Sequence, residues 1–305
     1  MELGLQERIG NNMRILNIST HDFSNMSHEN ANALRSVGVN CQDYALHNHP
    51  YGYASQSKKC TPLWIMDHFM MYDVIQVFHS DAMLYKMVAK HPNVICYHTG
   101  TRYRENKLRY DQLFKGRKII TDQCEFLLHN PTFEYLAPHT SLKPVKHNRK
   151  GQMIIGHYPS NHKVNGTAQI EKMLKQFKSK YDIRMDIRLT SHPENLLRVS
   201  ESDIYVELFA PFQGGKPYGC FGVSAFEATA LGCLVVTNNI NPSAYEDVYG
   251  TQPFLTPNCE EEFIETFKYL HDREYVELIK SALHENFHVK HGIVETGFRI
   301  KDLIS

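Results

Sequence analysis

The sequence predicts an α/β fold made of two tandem units, each a parallel sheet covered by helices, facing a cleft. Short β-branched runs alternate with helical stretches along most of the chain, as βαβ crossovers require. The alternation restarts after a polar, basic stretch at 143–150, KPVKHNRK, which reads as a linker rather than a polyanion site. A length of 305 residues suffices for one large or two medium domains.

Met13 opens MRILNIST as a natural start would, so residues 1–12 are set aside as an extension. A strand is expected over 14–18, then a helix over about 29–37 that stops at Gly38, because glycine ends helices at low cost. A second strand spans 40–46, and a loop rich in His, Pro, Gly and Ser follows at 47–59. Helix 64–71, strand 73–78, helix 82–90, strand 94–97, a helical turn at 111–114 and strand 118–121 complete the first unit, 13–144.

The second unit, 151–287, begins with strand 152–157. It continues with helix 166–181, strand 182–189, helix 193–200 and strand 204–209. A loop, a helix and the strand run Leu234-Val235-Val236 then follow in immediate succession over 217–239. A short strand at 254–255 and helices over 260–271 and 274–287 close it. The tail, 288–305, carries Ile293, Val294, Phe298, Ile300 and Leu303 at roughly helical spacing.

Composition narrows the function. Lys+Arg 33 balance Asp+Glu 33, so no global field favours nucleic acid or an anionic membrane, although a local patch can exist on a neutral protein. No apolar run approaches the length of a membrane span. The seven cysteines are odd in number, form no C-x-x-C pair and follow no basic-then-apolar leader. They read as reduced thiols of a cytoplasmic protein. The 18 histidines are scattered, and no spaced Cys/His set or paired-Asp motif marks a metal site.

The richest stretch is 217–239, PYGCFGVSAFEATALGCLVVTNN. Gly219 and Gly222 precede an apolar helical pattern in which Glu227 is the one acid. A glycine-bearing loop feeding a helix N-terminus offers free amides and a favourable dipole to an anion. A carboxylate one turn further can accept sugar hydroxyls, and phosphate plus sugar points to a nucleotide. The same spacing also fits a close-packed Gly222 and a Glu227 that only steadies its own helix. In parallel sheets ligands lie beyond the carboxyl ends of the strands. The loops there carry hydroxyl, amide, imidazole or cationic groups beside glycine: 19–25, 98–102, 159–167 and 210–218. Glu207 ends a strand and points either into the cleft or into solvent. Arg102 and Arg104 read as solvated arginines, with an anionic acceptor as the alternative.

Phe221-Gly222, Glu227-Ala228 and Ala230-x-Gly232-x-x-Val235-Val236 resemble the nucleotide-sugar signature of GT-B glycosyltransferases, two Rossmann-like domains about a central cleft. The likeness is to the glycogen synthase and glycosyltransferase family 4-like group. Residues 155–167 resemble that group's donor-phosphate loop, and 94–102, VICYHTGTR, its first-domain histidine loop. The resemblance implies that Glu227 holds the ribose hydroxyls. Phe221 and Gly222 would lie against the diphosphate and sugar, with Ser160 and Asn161 in the donor loop and Glu207 beside the donor. Lys163 would be the cation on the phosphates, and His98 would contact the donor sugar as the catalytic residue. Acceptor contacts would come from Ser24, Asn25, Thr99, Arg102 and the 47–59 loop, and the last helix would return to the first domain as a second hinge for closure. Two positions depart from the pattern. Gly219 stands where many members carry a second glutamate, and Asn165 where a lysine is usual.

The implied activity is hexosyl or pentosyl transfer from a nucleoside diphosphate sugar such as a UDP-sugar to an acceptor hydroxyl, retaining and without metal or other cofactor. The acceptor is open among glycan, lipid, small molecule and protein, with modified DNA a minority alternative. A non-catalytic nucleotide-sugar binder and a nucleotide-sugar epimerase of the same fold also fit the residues.

Overall fold

The structure, a computed structural model, describes residues 13–49, 54–143, 145 and 150–305. The expected extension at 1–12, and parts of the 47–59 loop and the 143–150 linker, lie outside the described residues. The chain separates into two compact units. One runs to Phe126 and adds Asn130–His139 and His291–Ser305; the other is Leu127–His129 with Thr140–Lys290.

The first unit is built on a sheet whose described strands number seven, in the order β3-β2-β1-β4-β5-β6-β7, every pairing parallel. The strands are β1 (Arg14–His21), β2 (Asn40–His47), β3 (Lys58–Lys59), β4 (Val74–Val77), β5 (Val94–His98), β6 (Lys118–Thr121) and β7 (Glu134–Tyr135). Helices α1 (Met26–Ser36), α2 (Pro62–His68), α3 (Ala82–Val88), α4 (Gly100–Glu105), α5 (Lys107–Leu113) and α6 (Cys124–His129) intervene. Because side chains alternate across a strand, Leu16, Ile18, Val94 and Cys96 enter one core with Tyr103, Tyr110, Phe114 and Phe126. Ile15, Ile95 and Tyr97 enter the opposite core with Ala31, Leu34, Ile300 and Ile304. The sequence missed α4, α6 and β7, which are too short to show a period.

The second unit carries a four-stranded parallel sheet among the described residues, in the order β13-β10-β8-β9. Its strands are β8 (Met153–His157), β9 (Tyr181–Met185), β10 (Ile204–Leu208) and β13 (Leu234–Thr237), with a small hairpin of β11 (Phe212–Gln213) and β12 (Lys216–Pro217). Leu255 adds a parallel bridge to Val236. Helix α7 (Thr167–Leu174) is shorter than expected and passes through a 3-10 turn at Lys175–Phe177 before Tyr181 starts β9. Helices α8 (His192–Ser200), α9 (Val223–Ala230), α10 (Ser243–Tyr249), α11 (Glu260–Tyr269), α12 (Arg273–Leu283) and α13 (Phe287–Lys290) follow. Ile155, Ile204, Val206, Leu234 and Val236 share one core with Ile170, Phe263, Phe267 and Val276.

The final helix α14 (Ile293–Ile304) lies on α1 in the first unit, so both ends of the chain build that unit. Gly297 makes the approach: a Cβ there would stand 2.2 Å from the Ala33 carbonyl oxygen. No helix among the described residues is long and apolar enough to cross a membrane.

Candidate functional site

In the second unit the polar groups gather where β8, β10 and β13 end and α7, α8 and α9 begin. The register of β10 against β13 shifts between Val206 and Leu208. Such an irregularity re-aims the residue it contains, here Glu207. Its side chain is only 5% exposed, which resolves the choice between cleft and solvent in favour of neither. It lies beneath the start of α9, accepting hydrogen bonds from Thr237 Oγ1 at 2.7 Å, Ser224 Oγ at 3.3 Å and the backbone N–H of Gly222. Burial pushes its carboxyl up to about 7, against the pull of those three donors.

Gly222 is the N-cap of α9 and has extended backbone. Glu227, one turn further, is half-buried, and its Oε1 lies 2.6 Å from Nε2 of His192. His192 opens α8 and was not expected at the site. Its only local mark is the following Pro193, and nothing in the spacing brings it to a residue 35 positions away. Phe221 corrects the expectation that it lines the diphosphate. It has no exposed surface and packs on Phe254 at 4.6 Å and edge-on to Tyr245 at 5.6 Å.

The loop after β8 is organised by its own backbone. Asn161 Oδ1 accepts from the N–H groups of Lys163 and Val164 at 3.2 and 3.3 Å. Ser160, Asn161 and Lys163 are exposed. Asn165, in place of the usual lysine, donates from Nδ2 to the Glu207 carbonyl at 3.0 Å and so ties this loop to the irregular end of β10. His157 below it is fully buried. Its Nδ1 donates to the Val206 carbonyl at 2.7 Å and its Nε2 accepts from Thr167 Oγ1 at 2.8 Å; burial pushes it down to about 4. Gly219 leaves no room for the second glutamate seen in the resembled group. A Cβ there would lie 2.3 Å from Asn238 Nδ2, which donates to the Tyr218 carbonyl at 2.7 Å.

In the first unit, His98 corrects the expected catalytic role. Strand β5 runs one residue beyond Tyr97, and alternation sends His98 to the same face as Cys96, into the aromatic core. The ring has no exposed surface, stacks on Tyr103 at 4.3 Å and meets Phe114 and Phe133. Ser80 Oγ lies 3.0 Å from its Nδ1, and burial pushes it down to about 3. A side chain so enclosed cannot touch a sugar in this conformation.

The polar cluster of this unit is instead centred on residues the sequence reading did not single out. Asp22 accepts from the N–H groups of Ser27 and His28 and from Ser57 Oγ, at 2.8 to 3.0 Å. His79 Nε2 lies 3.6 Å from Asp22 Oδ1, and its Nδ1 lies 2.9 Å from Thr99 Oγ1. His79 and Ser80 both have positive φ, 61° and 52°, a strained conformation for residues with side chains. Burial raises Asp122 nearby to about 6. Arg102 donates to the His79 carbonyl at 3.2 Å, and it pairs with Asp81. Arg104 is not solvated as expected but pairs with Glu125 at 2.6 Å. Ser24 is exposed, whereas the side chain of Asn25 is spent on the Ala54 carbonyl and the Gln56 N–H.

The chain has the GT-B fold of glycosyltransferases, with Rossmann-like α/β layout and parallel sheets. Solved structures to which it is similar include HepE of Anabaena in complex with UDP-glucose, at 9% identity and TM-score 0.66 over 95% of this chain and 99% of that one. The DNA-modifying enzyme β-glucosyltransferase, solved with and without uridine diphosphoglucose, is 15% identical at TM-score 0.55 over 96% and 99%. The catalytic domain of starch synthase IV from Arabidopsis thaliana, bound to ADP and acarbose, is 9% identical at TM-score 0.60 over 96% and 98%. No protein-family model and no curated protein matches the sequence.

Proposed function

We propose that the chain is a glycosyltransferase that moves a sugar from a UDP-sugar to an acceptor hydroxyl. The observation that carries this reading is the placement of Glu227 one turn inside α9, half-buried, beyond an N-terminus at Gly222 that no side chain caps. That pairing of free helix amides with a carboxylate suits a diphosphate joined to a ribose. The solved GT-B structures bound to UDP-glucose support the same ligand class.

In this proposal Glu227 accepts the ribose hydroxyls, and the first amides of α9 receive the diphosphate. Lys163, exposed on the loop after β8, supplies the cation. As the glycosidic bond to phosphate breaks, negative charge grows on the leaving diphosphate while the sugar becomes oxocarbenium-like. Donors fixed in advance lower that barrier. Retention of the anomeric configuration and independence of metal follow the group the sequence resembles. Ser160 and Asn161 border the donor, and Ser24, Thr99 and Arg102 remain on the acceptor side; His98 is withdrawn as the sugar contact.

The test is a panel of nucleotide sugars screened by thermal shift, followed by product analysis with candidate glycan, small-molecule and modified-DNA acceptors. Raised melting temperature with a UDP-sugar and acceptor-dependent release of UDP are expected. A changed sugar formed from the donor alone would identify an epimerase instead, and binding without turnover a non-catalytic receptor.

A further inference from the structure

Glu227 is presented by a second residue. A carboxylate oxygen only accepts hydrogen bonds, so at 2.6 Å the proton of this pair is carried by Nε2 of His192. The imidazole stands on a prepared turn. Ser191 caps α8 by accepting from the Glu194 N–H, and Pro193 follows at its first turn. Arg198, six residues on in the same helix, donates to Thr190 Oγ1 and Asn195 Oδ1 at 2.8 Å and lies over the Tyr158 ring. The Glu227 side chain is 17% exposed and the His192 side chain 39%, so the pair is open to solvent from the histidine side. Among the described residues no lysine or arginine pairs with Glu227.

We propose that His192 is a positioning residue for ribose recognition. It holds one oxygen of Glu227 and leaves the other for the 2′ hydroxyl of the nucleotide's ribose. This rests on the reading of Glu227 as the ribose acceptor. A glutamate held in one orientation loses little side-chain freedom when a ligand arrives, whereas a loose one must be ordered at the cost of affinity. Hence the histidine strengthens the contact that the 2′ hydroxyl makes and leaves the rest of the nucleotide unaffected.

The experiment measures binding of UDP and 2′-deoxy-UDP by calorimetry to the full chain and to His192→Ala, His192→Gln and Glu227→Ala. The wild type is expected to prefer UDP. His192→Ala should shrink that preference by about fivefold or more, while the affinity for 2′-deoxy-UDP moves by less than about twofold. Gln, whose amide can still donate to the carboxylate, should restore part of the preference. Equal weakening of both nucleotides, as expected if His192 only supports the start of α8, overturns the inference; so does an unchanged preference. The underlying reading fails separately, if the wild type does not bind UDP or if Glu227→Ala keeps the wild-type preference. Melting curves of each variant confirm that the unit remains folded.

Discussion

Glu207 is a carboxyl buried under the start of α9 with hydroxyl and amide donors but, among the described residues, no cation. Its value rises from 4.5 to about 7 because burial penalises the charge. The folded state therefore holds the proton more tightly than the unfolded chain. The stabilisation from this proton is complete below pH 4.5 and is lost as pH rises through about 7. Glu207→Gln, isosteric and uncharged, should remove that dependence. Between pH 5 and 8 the variant should gain stability relative to wild type by on the order of 2 kcal/mol, read from urea midpoints at each pH. A parallel pair of curves would rule out a buried titrating carboxyl. At the same scale, Glu227→Ala and Lys163→Ala should abolish sugar transfer and weaken nucleotide binding by about tenfold or more, because under the proposed function each side chain supplies a charge-assisted contact to the donor. Unchanged nucleotide affinity in both would contradict the site.

At the scale of elements, the candidate residues of the two units were legible to different degrees. The glycine loop, Glu227 and the strand run at 234–236 are contiguous, so α9 and β13 could be read from local pattern alone. The role of β5 could not. Its apolar run stops at Tyr97, yet the ladder with β6 extends to His98 paired with Thr121. One added strand residue turns a loop histidine into a core histidine, because direction alternates at every residue. Phe221 is the same case at a helix start, where adjacency to Gly222 in sequence did not mean adjacency at the surface. The contact of α14 with α1 is another element-scale property, set by Gly297 against Ala33. Gly297→Val should force these helices apart and cost at least about 2 kcal/mol, seen as a lower urea midpoint. A midpoint equal to wild type would show that the helices yield freely.

For the whole molecule, the chain completes its first unit only with its last fifteen residues, His291–Ser305. Ile300 and Ile304 fill the core that Ile15, Leu34 and Tyr97 line, and Lys118 reaches the Leu303 carbonyl. A chain ending at Lys290 should leave that core open to water. It is expected to lose the cooperative melting of the first unit while UDP-sugar binding by the second, if it folds alone, persists; hydrogen exchange resolved by peptide would separate the two. Loss of protection confined to α14's immediate neighbours would argue for a merely peripheral tail.

What the sequence determined by itself was everything carried by local period and by neighbours in the chain: the alternating strands and helices, the tandem α/β layout, and the glycine–glutamate stretch with its likeness to nucleotide-sugar sites. What only the tertiary structure decided was which polar groups meet. His192 reaches Glu227 across 35 positions, Asp22 meets His79 and Ser57, and Asn165 binds the backbone of Glu207. These pairings depend on strand register and on how helices seat over a sheet. Both are settled by the burial of apolar faces formed by residues far apart in the chain, a quantity that no local window of sequence contains.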